Sequence, residues 1–233
     1  MPIDSNETTQ QKLNKETSVI NQLINHFFEN PRASKLLVNP TKVSNIPGFG
    51  TTLMWEENFL LHREDAPALM AFDHSNRLRI SEWYSNGKLN SQKDQPSRTR
   101  YFEHGGIQSQ EWHFNNNPHR RNGPAYLEYD VRGELTVVRY ANFSDLHNEN
   151  GPALLCKNID GTTTAAWFKD GVLHNDIGPA IVVYSNEGRV LQTSYYIEGE
   201  PPTPQSHPRS LFEKPNFHLL GDATTDLCGG DHE

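Results

Sequence analysis

The chain has 233 residues, of which 34% are hydrophobic and 21% are charged, and its formal net charge at pH 7 is −8. This composition provides little apolar material for a thick globular core and favours a thin, elongated sheet, which needs less core per residue. An acidic surface repels phosphate, so nucleic acid and anionic lipid are poor partners, and a basic protein surface is a better match. A simpler interpretation of the negative charge is that it keeps the protein soluble.

The N-terminal part divides into two predicted regions. Residues 1–11 are polar and are predicted to be disordered. Apolar residues then recur at three- and four-residue spacings from Leu13 to Phe28, which is typical of an amphipathic helix, and Pro31 is placed to begin a short second helix. We therefore predict that residues 12–50 form a helical N-terminal segment and a linker, where the linker is residues 38–50 and contains two prolines and two glycines.

An internal repeat dominates the centre of the chain. Aromatic residues, called the anchors below, recur at intervals of 27 to 29 residues, at Trp55, Trp83, Trp112, Tyr140, Trp167 and Tyr195. Prolines keep the same period, at Pro67, Pro96, Pro124, Pro152 and Pro179. Because two independent residue classes share one period, we predict about five tandem copies of a unit of roughly 28 residues, which together fill residues 51–202.

Each unit is predicted to contribute two antiparallel strands. The proline is followed by an alternating apolar run, then by a Gly-containing turn, and then by a second strand that ends in the anchor. A second tight turn follows at Asn86-Gly87 and Asp170-Gly171, dipeptides that suit the positive φ angles of a two-residue hairpin. The predicted fold is all-β, an antiparallel meander of tandem hairpin repeats, with a short N-terminal helical segment and an irregular C-terminal tail at 203–233.

Three segments resemble MORN repeats in their divergent variant form: WYSNGKL at 83–89, WFKDGVLH at 167–174 and YYIEG at 195–199. The usual MORN unit is shorter and ends in His-Gly-x-Gly, whereas here the histidine is followed by a longer loop that ends in Gly-Pro-Ala. The resemblance implies a β-hairpin array that acts as a scaffold or recognition surface and carries no catalytic residues of its own. The long Gly-Pro-Ala units are similar to those of viral and intracellular-pathogen proteins, which implies a target in a host cell.

Histidines recur in the loops, at His62, His119, His147 and His174, and are the first candidates for chemistry. One hypothesis is that these histidines bind a row of metal ions. Equivalent residues two strands apart lie roughly 10 Å from each other, whereas zinc ligands lie about 2.1 Å from a single ion. We therefore expect no metal site and no cofactor, and predict that each imidazole closes its loop with a backbone hydrogen bond and packs against an anchor.

The repeat that begins at Pro96 departs most from the others. Arg98 and Arg100 stand where other repeats have apolar residues such as Ile181 and Val183. A repeat whose residues depart from the pattern of the other repeats is either a functional site or a repeat under weaker structural constraint. We predict binding residues in and beside this repeat, namely Arg98, Arg100, Trp112, His113 and Tyr84.

The loops after the histidines form a row on one side of the predicted sheet, at residues 62–66, 119–123, 147–151 and 174–178. Their charges vary from loop to loop. Varied polar loops on a regular scaffold suit recognition, and simple solvation explains them equally well. From these loops we add Arg63, Arg120 and Arg121 to the candidate binding residues.

The sequence contains no Gly-x-Ser-x-Gly, phosphate-loop, dinucleotide or His-Glu-x-x-His pattern, and we identify no catalytic residue in it. We predict a non-enzymatic protein-binding scaffold or inhibitor, and no small-molecule ligand is indicated. Two alternatives remain: an enzyme with a site at the helix–sheet junction or on the Pro96 repeat, and a lipid-surface module, which the negative charge disfavours. Because there is no signal peptide and no apolar run of the ~20 residues a membrane helix needs, we expect a cytoplasmic protein, in the host cell if it is exported.

Overall fold

The computed structural model describes residues 39–46 and 50–202, and every regular element within them is a β-strand. The predicted N-terminal helices and the predicted irregular tail lie outside the described residues. The described part is all-β and antiparallel, which confirms the fold class that the repeat pattern predicts.

Twelve strands of four or five residues form one antiparallel sheet. They are β1 (Lys42–Ile46), β2 (Gly50–Met54), β5 (Leu69–Phe72), β6 (Leu78–Glu82), β9 (Arg98–Tyr101), β10 (Ile107–Glu111), β13 (Tyr126–Tyr129), β14 (Leu135–Arg139), β17 (Leu154–Lys157), β18 (Thr163–Ala166), β21 (Ile181–Tyr184) and β22 (Val190–Ser194). Successive strands of this set are neighbours in the sheet, from β1 at one edge to β22 at the other, so the sheet is a meander of six long hairpins. With a strand spacing of about 4.8 Å, successive hairpins lie about 10 Å apart.

Ten two-residue strands form five small hairpins outside this sheet. They are β3 (Glu56–Glu57) with β4 (Leu60–Leu61), β7 (Tyr84–Ser85) with β8 (Lys88–Leu89), β11 (His113–Phe114) with β12 (Asn117–Pro118), β15 (Ala141–Asn142) with β16 (Asp145–Leu146), and β19 (Phe168–Lys169) with β20 (Val172–Leu173). The sequence predicted two strands in each unit, and the structure has four. The second tight turn closes a hairpin of its own and does not lead straight back into the long sheet.

The small hairpins form a continuous row because each is hydrogen-bonded to the one before it. The second residue of each turn donates its backbone N–H to a carbonyl in the preceding hairpin, over 2.8–3.0 Å. The four pairs within the row are Gly87 to Leu61, Asn116 to Leu89, Ser144 to Pro118 and Gly171 to Leu146, and the row continues with Gly199, which lies in a turn closed by the bridge Ile197↔Glu200 and donates to Leu173. The row therefore has the same repeat as the long sheet.

Both residues of the predicted turns have positive φ, 49° and 76° at Asn86-Gly87 and 49° and 82° at Asp170-Gly171, which confirms the hairpin prediction. The same conformation occurs at Asn58-Phe59 and Phe143-Ser144, where the sequence gives no such signal. Bulky residues rarely adopt positive φ, so at these turns the register of the hairpin row imposes the conformation.

The array starts earlier than the sequence predicted. Strand β1 lies inside the segment 38–50, which was expected to be a linker, and it pairs with β2 from Lys42↔Met54 to Ile46↔Gly50. The sequence does indicate this earlier start, because Pro40 precedes Pro67 by 27 residues and so keeps the repeat period. Pro40 lies just before β1, at the start of a sixth unit.

The anchors lie at a common level of the sheet. Trp55, Tyr140 and Trp167 each donate a backbone N–H, over 2.8 Å, to Ala68, Ala153 and Ala180 respectively. Trp83 donates to Ser97 over 2.7 Å, and Trp112 donates to Ala125 over 2.8 Å. All five acceptors are at most 2% exposed, which explains why the residue after each repeat proline is alanine or serine. A larger side chain there would overpack the sheet.

A core cluster lies in the last three units. It contains Val137, Leu154, Cys156, Ala166, Leu173, Ala180, Ile181 and Tyr196, with Tyr126 and Phe168 packed against it. Leu173 and Phe168 belong to the small hairpin β19–β20, so this hairpin packs against the long sheet and contributes to the thin core.

Replacing Gly171 with alanine tests the turn geometry. Gly171 has φ of 82°, which an alanine adopts only with strain, so we expect Gly171→Ala to lower the free energy of unfolding by about 1–2 kcal/mol. Gly178→Ala is the matched control, since its added methyl group meets only Asn175 Nδ2 at 3.6 Å and its φ is ordinary. Urea unfolding of both variants measures the difference, and equal midpoints would contradict the turn assignment.

Candidate functional site

One row of residues, paired across neighbouring strands, contains charged side chains at the centre of the long sheet. Leu69 pairs with Glu82, Glu82 with Arg98, Arg98 with Glu111, and Glu111 with Tyr126. The same row continues through Arg139 to Leu154, Ala166 and Ile181, which are apolar. The strand register therefore places the predicted Arg98 opposite a carboxylate on each side.

Arg98 bridges the two carboxylates. Its Nε donates to Glu82 Oε1, and its Nη1 donates to Glu111 Oε2 over 3.2 Å. The side chains of Arg98, Glu82 and Glu111 are 22%, 10% and 15% exposed. Burial opposes the charge of Arg98, but the two carboxylates outweigh this effect and raise its pKa. The three groups form a hydrogen-bonded ionic network that is largely buried in the protein.

Tyr84 and His113 complete this network, which we call the central charged cluster (Glu82, Tyr84, Arg98, Glu111 and His113). The Tyr84 hydroxyl donates to Glu82 Oε2 over 2.9 Å, and burial together with the Glu82 carboxylate raises the pKa of Tyr84 to about 12. His113 Nε2 lies 3.6 Å from Glu111 Oε2, while Nδ1 lies 2.8 Å from Ser97 Oγ. Burial lowers the pKa of His113, although Glu111 opposes this effect.

Arg100 lies at the rim of the cluster, with its side chain 45% exposed and Nε 3.8 Å from Glu111 Oε1. The structure thus brings four of the predicted residues together. Sequence reasoning missed Glu82 and Glu111. The sequence does relate them, because each of these glutamates directly precedes an anchor. In adjoining units they therefore occupy equivalent positions on their strands.

Four of the residues that directly follow an anchor are aromatic, and their side chains are buried or half-buried: His113 is 7% and Tyr196 9% exposed, and Tyr84 and Phe168 are half-buried. Phe168 and Tyr196 pack in the core cluster, whereas Tyr84 and His113 belong to the central charged cluster.

Arg63 and Arg120 cover anchors. The guanidinium carbon of each lies 4.0 Å from the ring centroid of its anchor, Trp55 for Arg63 and Trp112 for Arg120. Trp112 is 4% exposed and is therefore a core residue, whose indole N–H donates to the Asp94 carbonyl over 3.0 Å. These geometries are favourable for cation–π attraction.

The loop histidines connect successive units. Nδ1 of His62, His147 and His174 accepts the backbone N–H of Asn86, Asp170 and Glu198 respectively, each over 3.2 Å. The predicted backbone hydrogen bond is thus confirmed for these three, but it reaches the next unit's hairpin and does not close the histidine's own loop. Among the described residues, no group of three or more His, Cys, Asp or Glu is arranged to hold a metal ion.

His119 is the exception. Its partner position is occupied by Phe143, whose ring stacks on the imidazole with centroids 4.4 Å apart, and Nδ1 of His119 is buried without a hydrogen-bond partner. Phe114 contacts Phe143 edge to face at 6.0 Å. Phe114 and Phe143 are about half exposed, at 49% and 53%, so an aromatic patch replaces the polar link at this point of the row.

Two clefts open between successive loops. The first, about 600 Å³, lies between loops 119–123 and 147–151 and is called the Tyr140 cleft after the anchor in its wall. The second, about 520 Å³, lies one unit further on, between loops 147–151 and 174–178, and is called the Trp167 cleft. Arg120 and Arg121 line the first cleft, and no member of the central charged cluster lines either one.

Breaking the ionic network should destabilise the fold strongly. Arg98→Met leaves Glu82 and Glu111 buried without their shared counter-charge, and we expect a loss of about 3 kcal/mol in the free energy of unfolding. Arg100→Met is the matched control and should change it by less than about 1 kcal/mol, since Arg100 is exposed and has a single distant carboxylate. Similar urea midpoints for the two variants would contradict the bridging role.

The raised pKa of Tyr84 predicts an alkaline loss of stability. In the unfolded chain tyrosine ionises near pH ~10, whereas in the folded protein Tyr84 keeps its proton until about pH 12. Its stabilising contribution is therefore complete below pH ~10 and is lost as the pH rises to 12. The wild-type protein should lose more stability than Tyr84→Phe across this window in denaturant titrations, and parallel curves would place the Tyr84 pKa near its ordinary value.

No helix in the described part of the chain is long and apolar enough to cross a membrane. Comparison with protein-family models and with curated proteins found no match to this chain. What the geometry establishes is an antiparallel meander of repeated hairpins, with a buried charged cluster at its centre and a row of loops and clefts along one side.

Proposed function

We propose that this chain is a non-enzymatic, MORN-like scaffold that binds a protein partner along its row of loops. The small hairpins and the loops 62–66, 119–123, 147–151 and 174–178 form the proposed binding surface. In this proposal the long sheet is the rigid support, and the loops carry the side chains that contact the partner.

The observation that carries the proposal is that two neighbouring clefts are built from equivalent positions of successive units. Each has an anchor in its wall, a loop before that anchor and a loop after it. Adjacent clefts separated by about 10 Å suit an extended segment or a broad protein surface that contacts several units at once. The resemblance to MORN units supports the same function.

The charge of the surface supports a basic partner. In the last units, exposed carboxylates lie beside the clefts, with the side chains of Glu149, Asp170 and Asp176 at 82%, 69% and 73% exposed. The whole chain has a net charge of −8, which favours encounter with a positively charged surface. The same charge disfavours the alternative of an anionic lipid surface.

The central charged cluster is the one observation that favours the alternative of an enzyme. Buried ionisable groups converge there, as they do in many active sites. Its carboxylates, however, are already engaged by Arg98 and Tyr84, and its members line neither of the two clefts. A structural ionic network accounts for this arrangement more simply, so binding is the better-supported function.

Charge reversal on the loops tests the proposal. The full chain, immobilised and exposed to an extract of the cells that produce it, should retain a stoichiometric protein partner, and Glu149→Lys with Asp176→Lys should abolish retention by electrostatic repulsion. Glu187→Lys, in the turn before β22 at the opposite end of the long strands, is the matched control and should retain the partner. Failure to retain any partner, or retention unaffected by the loop variants, would contradict the proposal.

A further inference from the structure

We propose that the Trp167 cleft receives a guanidinium group from the partner, which stacks on Trp167 and pairs with Glu149. This inference rests on the proposed function and names the chemistry of one contact within it. Other units of the same chain support it, because in them an arginine of the protein itself stacks on the anchor.

The fullest precedent is at Trp112. Arg120, from the loop after this anchor, lies over the ring with its guanidinium carbon 4.0 Å from the centroid. The same guanidinium donates two hydrogen bonds, of 2.9 and 2.8 Å, to the carboxylate of Asp94 in the loop before the anchor, and Arg120 lowers the pKa of that carboxyl. An anchor ring and a carboxylate on the preceding loop thus hold a guanidinium between them.

Arg63 on Trp55 is a second precedent, again with 4.0 Å between guanidinium carbon and ring centroid. Arg63 and Arg120 occupy the same place in their units, directly after the loop histidine. The residue at that place in the unit of Trp167 is Asn175, which is too short to cover the ring and instead donates to the Pro179 carbonyl over 2.8 Å. Within the described residues, no arginine or lysine stacks on Trp167.

The Trp167 cleft keeps the other parts of the arrangement. Glu149 lies on the loop before the anchor, as Asp94 does, and Asp176 adds a second carboxylate on the loop after it. Both side chains are largely exposed, and the only described partners of their carboxylates are the histidine side chains of their own loops, His147 Nε2 at 3.9 Å and His174 Nε2 at 3.1 Å. Trp167 is half-buried in the cleft wall. Ring and carboxylates together suit an incoming cation.

His174 supplies an independent indication of an unfilled site. Its side chain is 10% exposed, and its Nδ1 accepts the Glu198 N–H, so the neutral ring carries its proton on Nε2. That nitrogen is buried and makes no hydrogen bond, since Asp176 Oδ2 lies 3.1 Å away but outside hydrogen-bond geometry. A backbone carbonyl of a bound segment, or Asp176 reoriented by a bound cation, can accept this proton.

The Tyr140 cleft is also lined by Glu149, but it differs in the loop that precedes its anchor. The loop before Tyr140 carries Arg120 and Arg121, both of which line that cleft and repel a second cation. The residue after its loop histidine is Asn148, which donates to the Pro152 carbonyl over 3.0 Å. The guanidinium site is therefore specific to the Trp167 cleft, where the preceding loop contributes Glu149 and no arginine.

The probe for this site is N-acetyl-arginine amide at millimolar concentration, added to the full chain and followed by the indole NMR signal of Trp167. N-acetyl-citrulline amide, which has the same shape without the charge, is the matched ligand control. We expect saturable shifts with the arginine compound and at least tenfold weaker binding of the citrulline compound. Equal response to the two compounds, or no shift of the Trp167 signal, would overturn the inference.

Two reciprocal variants test the precedent directly. Asn175→Arg should place the protein's own guanidinium on Trp167 and weaken probe binding at least tenfold, and the Arg63 hydrogen bond to the Pro67 carbonyl (3.2 Å) shows that arginine fits such a loop. Arg120→Asn should uncover Trp112 beside Asp94 and create a second site, seen as new shifts of the Trp112 indole. Glu149→Gln should weaken binding several-fold, and Glu187→Gln should leave it unchanged.

The outcomes separate this inference from the function on which it rests. If partner retention depends on Glu149 and Asp176 but the arginine probe does not shift Trp167, the loop surface binds a partner and the guanidinium site is wrong. If the probe binds as expected and no partner is retained, the cation site is present and the protein-binding function is wrong. Unchanged probe binding by Asn175→Arg, with native unfolding behaviour, also contradicts the site.

Discussion

The structure depends on one repeated contact, the backbone hydrogen bond between an anchor and a buried small residue that directly precedes the next long strand. Trp55 with Ala68 and Trp167 with Ala180 show the same 2.8 Å geometry at opposite ends of the array. Because the small residue has no room for a larger side chain, the register of neighbouring strands is fixed at this level. All other repeating features take their positions from it, including the small hairpins, the histidine links and the loops.

A thin sheet has few ways to bury apolar surface, and the two halves of the long sheet solve this problem differently. The last units form an apolar cluster between sheet and hairpins, centred on residues such as Leu154 and Ile181. In the middle of the sheet, the same cross-strand row carries Glu82, Arg98 and Glu111. A buried ionic network of this kind is tolerated only when each charge is compensated, and a slipped register would separate the partners. The network therefore reinforces the register that the anchors set.

The clefts show how one scaffold position is used in two ways. Where the residue after the loop histidine is arginine, the protein fills the space above its own anchor, as Arg120 does above Trp112. Where that residue is asparagine, its side chain closes the loop through a proline carbonyl, as Asn148 and Asn175 do, and a cleft remains. In these four units, a long cation at this position covers the anchor, and a short amide leaves the anchor beside a cleft.

The amino-acid sequence alone was sufficient for the features that depend on short stretches of chain. The period of about 28 residues, the alternation that marks strands, and the turns at Asn86-Gly87 and Asp170-Gly171 are local properties, and they predicted the all-β meander correctly. The first unit was missed because prolines and glycines near Pro40 are also typical of a linker, although Pro40 itself keeps the repeat period and lies just before β1.

Contacts between residues far apart in the chain required the folded protein. The two carboxylates that neutralise Arg98 lie 16 and 13 residues away from it, and Asp94 lies 26 residues from Arg120. Which side chains meet over such separations depends on strand register and on where the small hairpins pack, and a shift of one residue would exchange the two faces of the sheet. Composition and periodicity therefore identified Arg98 and Arg120 as unusual, while tertiary packing determined that one completes an interior network and the other covers a tryptophan.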